Sequence, residues 1–374
     1  MSNQYVHAQE VIQRIDQLAP KWMAMDWDPI GLQVGSRNKR VKKIMVTLDV
    51  IEPVIDEAIR EGVDFIFAHH PLIFKPLKRI DPDTSQGRTI QKLMKHDITV
   101  YAAHTNLDVA SGGVNDLLAD VIGMTDTEVL VDTVEDKLKK LVVFVPESHA
   151  DAVREALGEA GAGFIGDYSH CTFNTPGTGT FLPHEGTDPH IGEQGKLEFV
   201  DEVKIETIYP MSIEKDVMAA MHRAHPYEEV AYDLLVLDNP GNRLGIGRIG
   251  KPEEEITVGE LAQQLKEKFS LEGVRVVGDL DKKVKKIAVS GGEGNDFISK
   301  ALVKGADVFI TGDIKYHFAH DAWMEGMAVI DPGHNIEKVM IDGMAGLLSE
   351  WIKAKGSETE VYRSKEQTDP FKFV

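Results

Sequence analysis

The sequence predicts an α/β protein split into two lobes with mostly parallel sheets, interrupted by an α+β insertion of ferredoxin-like order. Three observations predict it. Strand-like and helix-like segments alternate at both ends of the 374-residue chain, the pattern of parallel strands joined by crossover helices. The two ends also repeat each other: KIMVTLD from Lys43 and GVDFIFAHH from Gly62 match KIAVSGG from Lys286 and GADVFITGD from Gly305. The lysine-to-glycine interval is the same in both, and Asp64 aligns with Asp307. The middle reads β-α-β-β-α-β instead. The chain therefore divides into 1–127, the first half of the split domain; 128–241, the insertion; and 242–374, the second half.

In the first half an amphipathic helix over 8–18 precedes strands at 41–48, 63–68 and 98–103, with helices at 52–61 and 89–96 between them. The second half follows with strands at 286–290, 306–311 and 327–331 and helices at 296–304 and 337–353. Inside the insertion, strands at 138–145, 168–173, 196–209 and 230–237 accompany helices at 149–160 and 212–224. The Gly/Pro/Thr-rich stretch 174–195 reads as a loop, and DNPGNRLG at 238–245 as the exit turn.

Composition narrows the classes of function. At 42% hydrophobic and 27% charged the chain has the balance of a soluble globular protein, and its apolar runs are too short to cross a bilayer. The first residues lack the basic start and apolar centre of a signal peptide. The single cysteine, Cys171, excludes an intramolecular disulfide and suits a reducing compartment, so a cytoplasmic protein is expected. A net charge of −20 with no basic, aromatic-interleaved stretch disfavours duplex nucleic acid as a partner, because phosphate neutralisation supplies most of that affinity.

The chemistry-bearing residues gather just past the carboxyl ends of the expected strands. Asp49, the pair His69 and His70, then His104 and Asp108, Asp313 and His317, and finally His334 and Glu337 all fall there. In open α/β sheets that edge is where ligands bind. Adjacent histidines on a regular strand point to opposite faces, so His69 and His70 share a site only where the strand ends between them; Pro71 favours such an ending. Asp108 lies one helical turn beyond His104, and His334 and Glu337 are three residues apart at a helix start, on one face. Imidazole and carboxylate without thiolate suit zinc, iron, manganese or nickel rather than copper(I). Five or six such ligands exceed what one open catalytic ion takes, so two ions, with Glu337 or a hydroxide between them, use the set more naturally.

The motifs AHHPLIF (68–74), AHTNLD (103–108), TGDIKYH (311–317) and DPGHNIEK (331–338), with the opening segment WDPIGLQVG (27–35), resemble the dinuclear-metal-centre hexameric proteins labelled GTP cyclohydrolase 1 type 2 homologs. The resemblance implies metal ligands at His69, His70, Asp108, His334 and Glu337, with two divalent ions per chain, zinc foremost. It places His104 and His317 beside the ions as catalytic residues. It also implies a toroidal homohexamer whose sites face an internal cavity. The activity it suggests is metal-dependent hydrolysis of a nucleotide-like small molecule, GTP ring opening by the label, with His104 or His317 moving the proton and Asp49 or Asp313 orienting them. Two alternatives stay open: cleavage of a phosphoester by the same ions, and a non-catalytic metal- or ligand-sensing hexamer.

In the middle stretch, GFIGDYSHCTF (163–173) and HPYEEVAYDLL (225–235) are similar to the PII and divalent-cation-tolerance proteins, which makes the insertion PII-like. His222 and His225 there lack a third ligand and read as structural. Cys171 reads as a packed strand residue, and His184 and His190 as solvated loop residues. The turn Gly291-Gly292-Glu293-Gly294 is either a phosphate cradle or, preferably, a plain tight turn, since it has no P-loop lysine.

Overall fold

A computed structural model describes residues 4–374. They form two compact units: one built from the residues up to Thr133 together with Leu244–Val374, the other from Val134–Arg243.

The first unit holds two sheets of the same plan. In the first sheet, strands β1 (Gly31–Val34), β2 (Lys43–Thr47), β3 (Phe65–Ala68) and β4 (Thr99–Ala102) occur in the order β1-β4-β3-β2. β2, β3 and β4 are parallel and β1 runs antiparallel beside β4. Every residue of β3 and β4 is buried, which is why FIFA and TVYA are continuous apolar runs rather than alternating ones. On one face Met45, Ile66 and Val100 pack with Ile55, Ala58, Ile90 and Leu93 from the helices Glu52–Arg60 and Ser85–Lys95.

The remaining strands are β5 (Met124–Asp136), β6 (Leu138–Pro146), β7 (Phe173–Phe181), β8 (Glu198–Pro210), β9 (Tyr232–Val236), β10 (Asn242–Pro252), β11 (Ile256–Thr257), β12 (Arg275–Val277), β13 (Lys283–Val284), β14 (Ile287–Glu293), β15 (Val308–Gly312), β16 (Ala328–Asp331) and β17 (Glu360–Arg363). The second sheet, β12-β16-β15-β14-β10-β5, repeats the first: β14, β15 and β16 are parallel, with β12 antiparallel beside β16. The repeat reaches single hydrogen bonds. Asp64 accepts the backbone N–H groups of Lys42 and Lys43 at 2.7 and 3.1 Å. Asp307 accepts those of Lys285 and Lys286 at 2.8 and 3.0 Å.

The halves also exchange strands. β17, late in the chain, pairs parallel with β2 in the first sheet, while β5 lies at the edge of the second. The buried carboxylate of Glu57 anchors the end of β17 and the residues just beyond it, accepting from Tyr362 Oη, Ser364 Oγ and Lys365 N.

The second unit is ferredoxin-like. Its antiparallel sheet runs β7-β8-β6-β9, and the helices Ala150–Glu159 and Glu214–Ala224 supply Val153, Leu157, Val217 and Met221 to a core with Leu141, Val143 and Ile205. The strand expected at 168–173 instead begins at Phe173 and occupies part of the stretch read as a loop. β7 is an edge strand with no buried residue, so Pro176, Gly177 and Gly179 are tolerated in it and no apolar alternation marks it. Cys171 consequently precedes the strand rather than packing within it. Among the described residues no helix is long and apolar enough to cross a membrane.

Candidate metal centre

The ends of parallel strands in both sheets of the first unit deliver the site. β3 stops at Ala68, and the next two backbone N–H groups bond Thr47 O and Leu48 O, which turns His69 and His70 to the same place. The buried His69 donates Nδ1–H to Ala103 O at 2.9 Å. His70 Nδ1 lies 2.7 Å from Asp49 Oδ1, and His334 Nδ1 lies 2.7 Å from Asp313 Oδ2. Asp313 takes the left-handed backbone, φ 54°, a conformation aspartate adopts more readily than most residues. An acceptor on Nδ1 places the proton there and leaves Nε2 to a metal, the usual outer support of a ligating histidine.

The Nε2 atoms converge on Glu337. Its Oε1 is 3.8 Å from His69 Nε2, and its Oε2 is 3.1 Å from His70 Nε2 and 3.2 Å from His334 Nε2. Asp108 Oδ1 stands 3.6 Å from His69 Nε2. His69 Nε2 and Asp108 Oδ1 are both buried with no hydrogen-bond partner, an arrangement that is costly unless something else is bound. Two ligand atoms about 2.1 Å from one tetrahedral ion are about 3.4 Å apart, so these separations suit atoms that share an ion. At this centre three groups of ligand atoms lie within 4.8 Å of one another: His69 with Asp108 and Glu337, His70 with His334 and Glu337, and His69 with His70 and His104.

The stretch 291–294, expected as a turn, instead lies at the end of β14, and its glycines make room for this arrangement. A Cβ on Gly291 or Gly292 would sit 2.8 or 2.9 Å from Glu337 Oε1, and Gly292 has φ +60°. Neither a phosphate cradle nor an idle turn describes it; its bare backbone is clearance for the central carboxylate.

Charge at the centre is balanced by protons. Burial resists ionisation of Glu337, yet hydrogen bonds led by that of His334 hold its carboxyl well below the usual range. Burial pushes Asp108 up. Burial also works against a charged His70, but its bonds to Asp49 and Glu337 prevail and raise it to about 10. The Glu337 bond raises His334 to about 9. Both rings are therefore protonated at pH 7, and a metal must displace those protons. Zinc titrated calorimetrically into metal-free protein at pH 7, in two buffers of different ionisation enthalpy, is expected to release about two protons from these rings; release of none would mean they start neutral. Without metal, the stability these raised values contribute is full below pH ~6.5 and is lost as pH rises through about 9 and 10.

His104 joins the centre at its other side. Its Nδ1 lies 3.0 Å from Asp28 Oδ1, and Asp28 also accepts Thr105 N at 2.9 Å and Thr105 Oγ1. The exposed rings of Trp27 and Phe74 stand 6.2 and 6.5 Å from its imidazole, centroid to centroid. Sequence reasoning gave Asp28 no role; its only signal was its place in the opening motif. His317 is arranged differently. It is exposed on the helix Tyr316–Met324, its ring 5.5 Å from that of Tyr316, and it belongs to none of the convergent groups among the described residues. In the second unit, His225 is buried between Phe144 O and Tyr227 N, a structural role.

Fold and site together define a two-sheet α/β protein with a histidine–carboxylate centre able to hold metal. A family model for Duf34/NIF3 (NGG1p interacting factor 3) matches residues 6–370, and the chain belongs to that family. It is 53% identical over 368 residues to a GTP cyclohydrolase 1 type 2 homolog of Halalkalibacterium halodurans, covering 98% of this chain and 99% of the relative. A Bacillus subtilis protein of the same name is 52% identical over 369 residues, covering 99% of each. Among solved structures, a Bacillus cereus protein related to NIF3 superposes with a TM-score of 0.93 at 53% identity, covering 100% of both chains.

Proposed function

We propose that the chain is a metal-dependent hydrolase of a nucleotide-like small molecule, holding two divalent ions, zinc foremost, that share Glu337. The observation that carries this is the pair of buried, unpartnered ligand atoms, His69 Nε2 and Asp108 Oδ1, facing one oxygen of Glu337 while the other oxygen meets His70 and His334. His69, Asp108 and Glu337 would hold one ion; His70, His334 and Glu337 the other. Three protein ligands each is the number that catalytic sites use, leaving a position open. Bound there, the ions would supply Lewis acidity and water activated near neutral pH.

The chain's own residues supply the rest. Asp28 fixes the His104 ring through Nδ1, so Nε2 is the atom that takes or gives a proton, and the carboxylate offsets the imidazolium that forms. Trp27 and Phe74 wall the approach to His104 and offer flat faces to a heteroaromatic ring. His317, as placed in this chain, is assigned no part in the proton transfer. The names carried by the relatives support GTP as the first trial substrate. The toroidal homohexamer belongs to this proposal as its assembly.

The test is turnover of GTP by zinc-loaded protein, followed as formate and as phosphate release. One water added at C8 opens the ring to a formamide and a second releases formate, so formate marks ring opening carried through, and phosphate marks hydrolysis of the phosphate chain by the same centre. His104→Ala should lower the rate by about 10²–10⁴-fold while metal content is kept. Release of neither product, or a His104→Ala rate equal to wild type, contradicts the proposal.

A further inference from the structure

The second unit carries a cavity of about 690 Å³ on the sheet face away from its helices, within the range of about 300–1,000 Å³ typical of small-molecule sites. The sequence of β7 makes it. Alternation sends Thr175, Gly177, Gly179 and Phe181 to one face, and the register sets Gly177 opposite Glu202 on β8. A Cβ on Gly177 would meet nothing within 4 Å, whereas one on Gly179 would strike the Glu202 carboxylate. Two missing side chains thus open a space in front of a glutamate. Leu182, Pro183, Pro189 and His190 also line this space.

Its aromatic wall is held in place. His225 donates Nε2–H to Phe144 O at 2.9 Å and accepts Tyr227 N–H on Nδ1 at 3.1 Å. Tyr227 then donates its hydroxyl to Glu202 at 3.1 Å. The Phe181 ring stands edge-on to Tyr227 at 5.8 Å, and His190 at 6.3 Å. Phe144 also lines the cavity. The lining charges are unequal: Glu202, Glu228 and Glu229 against Lys204 alone. Lys204 is itself committed to Glu206 at 3.0 Å. Aromatic faces beside uncompensated carboxylates attract a cation through both the ring quadrupole and the formal charge.

We infer that this cavity binds a small arylalkylamine in its protonated form, the ring among Phe144, Phe181 and Tyr227 and the ammonium toward Glu202 and Glu229. The site lies wholly within the second unit and is independent of the metal centre. The test is calorimetric titration of the full-length protein with tyramine, its neutral analogue para-ethylphenol and its anionic analogue desaminotyrosine. Tyramine is expected to bind at least about tenfold more tightly than para-ethylphenol, with desaminotyrosine weakest. Glu202→Gln/Glu229→Gln should erase the preference for tyramine and keep para-ethylphenol binding. Gly177→Leu, whose Cβ meets nothing within 4 Å and whose remaining side chain would occupy the cavity, should abolish binding of all three with an unchanged melting temperature. Equal affinity of tyramine and para-ethylphenol, absence of tyramine binding, or binding that survives Gly177→Leu would overturn the inference.

Discussion

Glu337→Gln is expected to empty the metal centre at both positions, lowering metal content at least about tenfold after dialysis. Among the described residues, no other side chain has an oxygen in both carboxylate-containing ligand groups of this centre. The amide that replaces it can ligate only weakly through one oxygen and presents N–H₂ to the other side. Without metal the loss is also felt, because Glu337 is the buried anion that His70 and His334 face. Breaking such a buried pair by removing one partner costs about 3–5 kcal/mol, reduced here to the extent that the rings shed their protons. In wild type, metal present at about a thousand times its Kd adds about 4 kcal/mol per site. Thermal melts with and without zinc should therefore separate widely for wild type and coincide for the variant. A Glu337→Gln protein that keeps its metal and its zinc-dependent melting shift would show that the carboxylate is not shared.

The second large effect is expected at a residue with no ligand atom. Gly312 ends β15, and a Cβ there would lie 2.8–2.9 Å from His334 N, Gly333 C and His334 Cα. These are backbone atoms and cannot swing aside. Gly312→Ala must push the turn that carries His334, at a cost of about 1–3 kcal/mol for overpacking. Ligand distances tolerate only about 0.2 Å, so the His70–His334–Glu337 group should lose its ion while His69–Asp108–Glu337 keeps one. Metal analysis is expected to fall by about half, with a lowered melting temperature. Full metal content in Gly312→Ala would mean that this turn yields more easily than its contacts imply.

Features that depend on local sequence were legible, and those that depend on distant partners were not. The proposed ligands follow buried parallel strands within about one to six residues, and a continuous apolar run such as FIFA before His69-His70 marks both the strand and its end. The repeat was visible because each copy needs the same local device, Asp64 or Asp307 capping two backbone N–H groups of the neighbouring strand. Strand exchange left no such trace, because the pairing of β17 with β2 joins opposite ends of the chain with no local pattern to announce it. β7 escaped because an exposed edge strand needs no apolar alternation. Asp28 escaped because a residue that orients a histidine 76 positions away carries no spacing signal. His317 shows the converse: its place after a strand end sets where the residue starts, but the turn between Gly312 and Tyr316 decides where its side chain goes, and here it goes to solvent. The glycines at 291 and 292 were conspicuous, yet their purpose depends on Glu337, a residue distant in sequence that approaches them only in the fold.

A shared two-ion centre is tested by metal content per chain after zinc reconstitution, in wild type and in His69→Ala/His334→Ala. About two ions are expected in wild type and a sharp fall in the variant, which removes one ligand from each group. Fewer than about half an ion in reconstituted wild type, or equal content in both proteins, would contradict it.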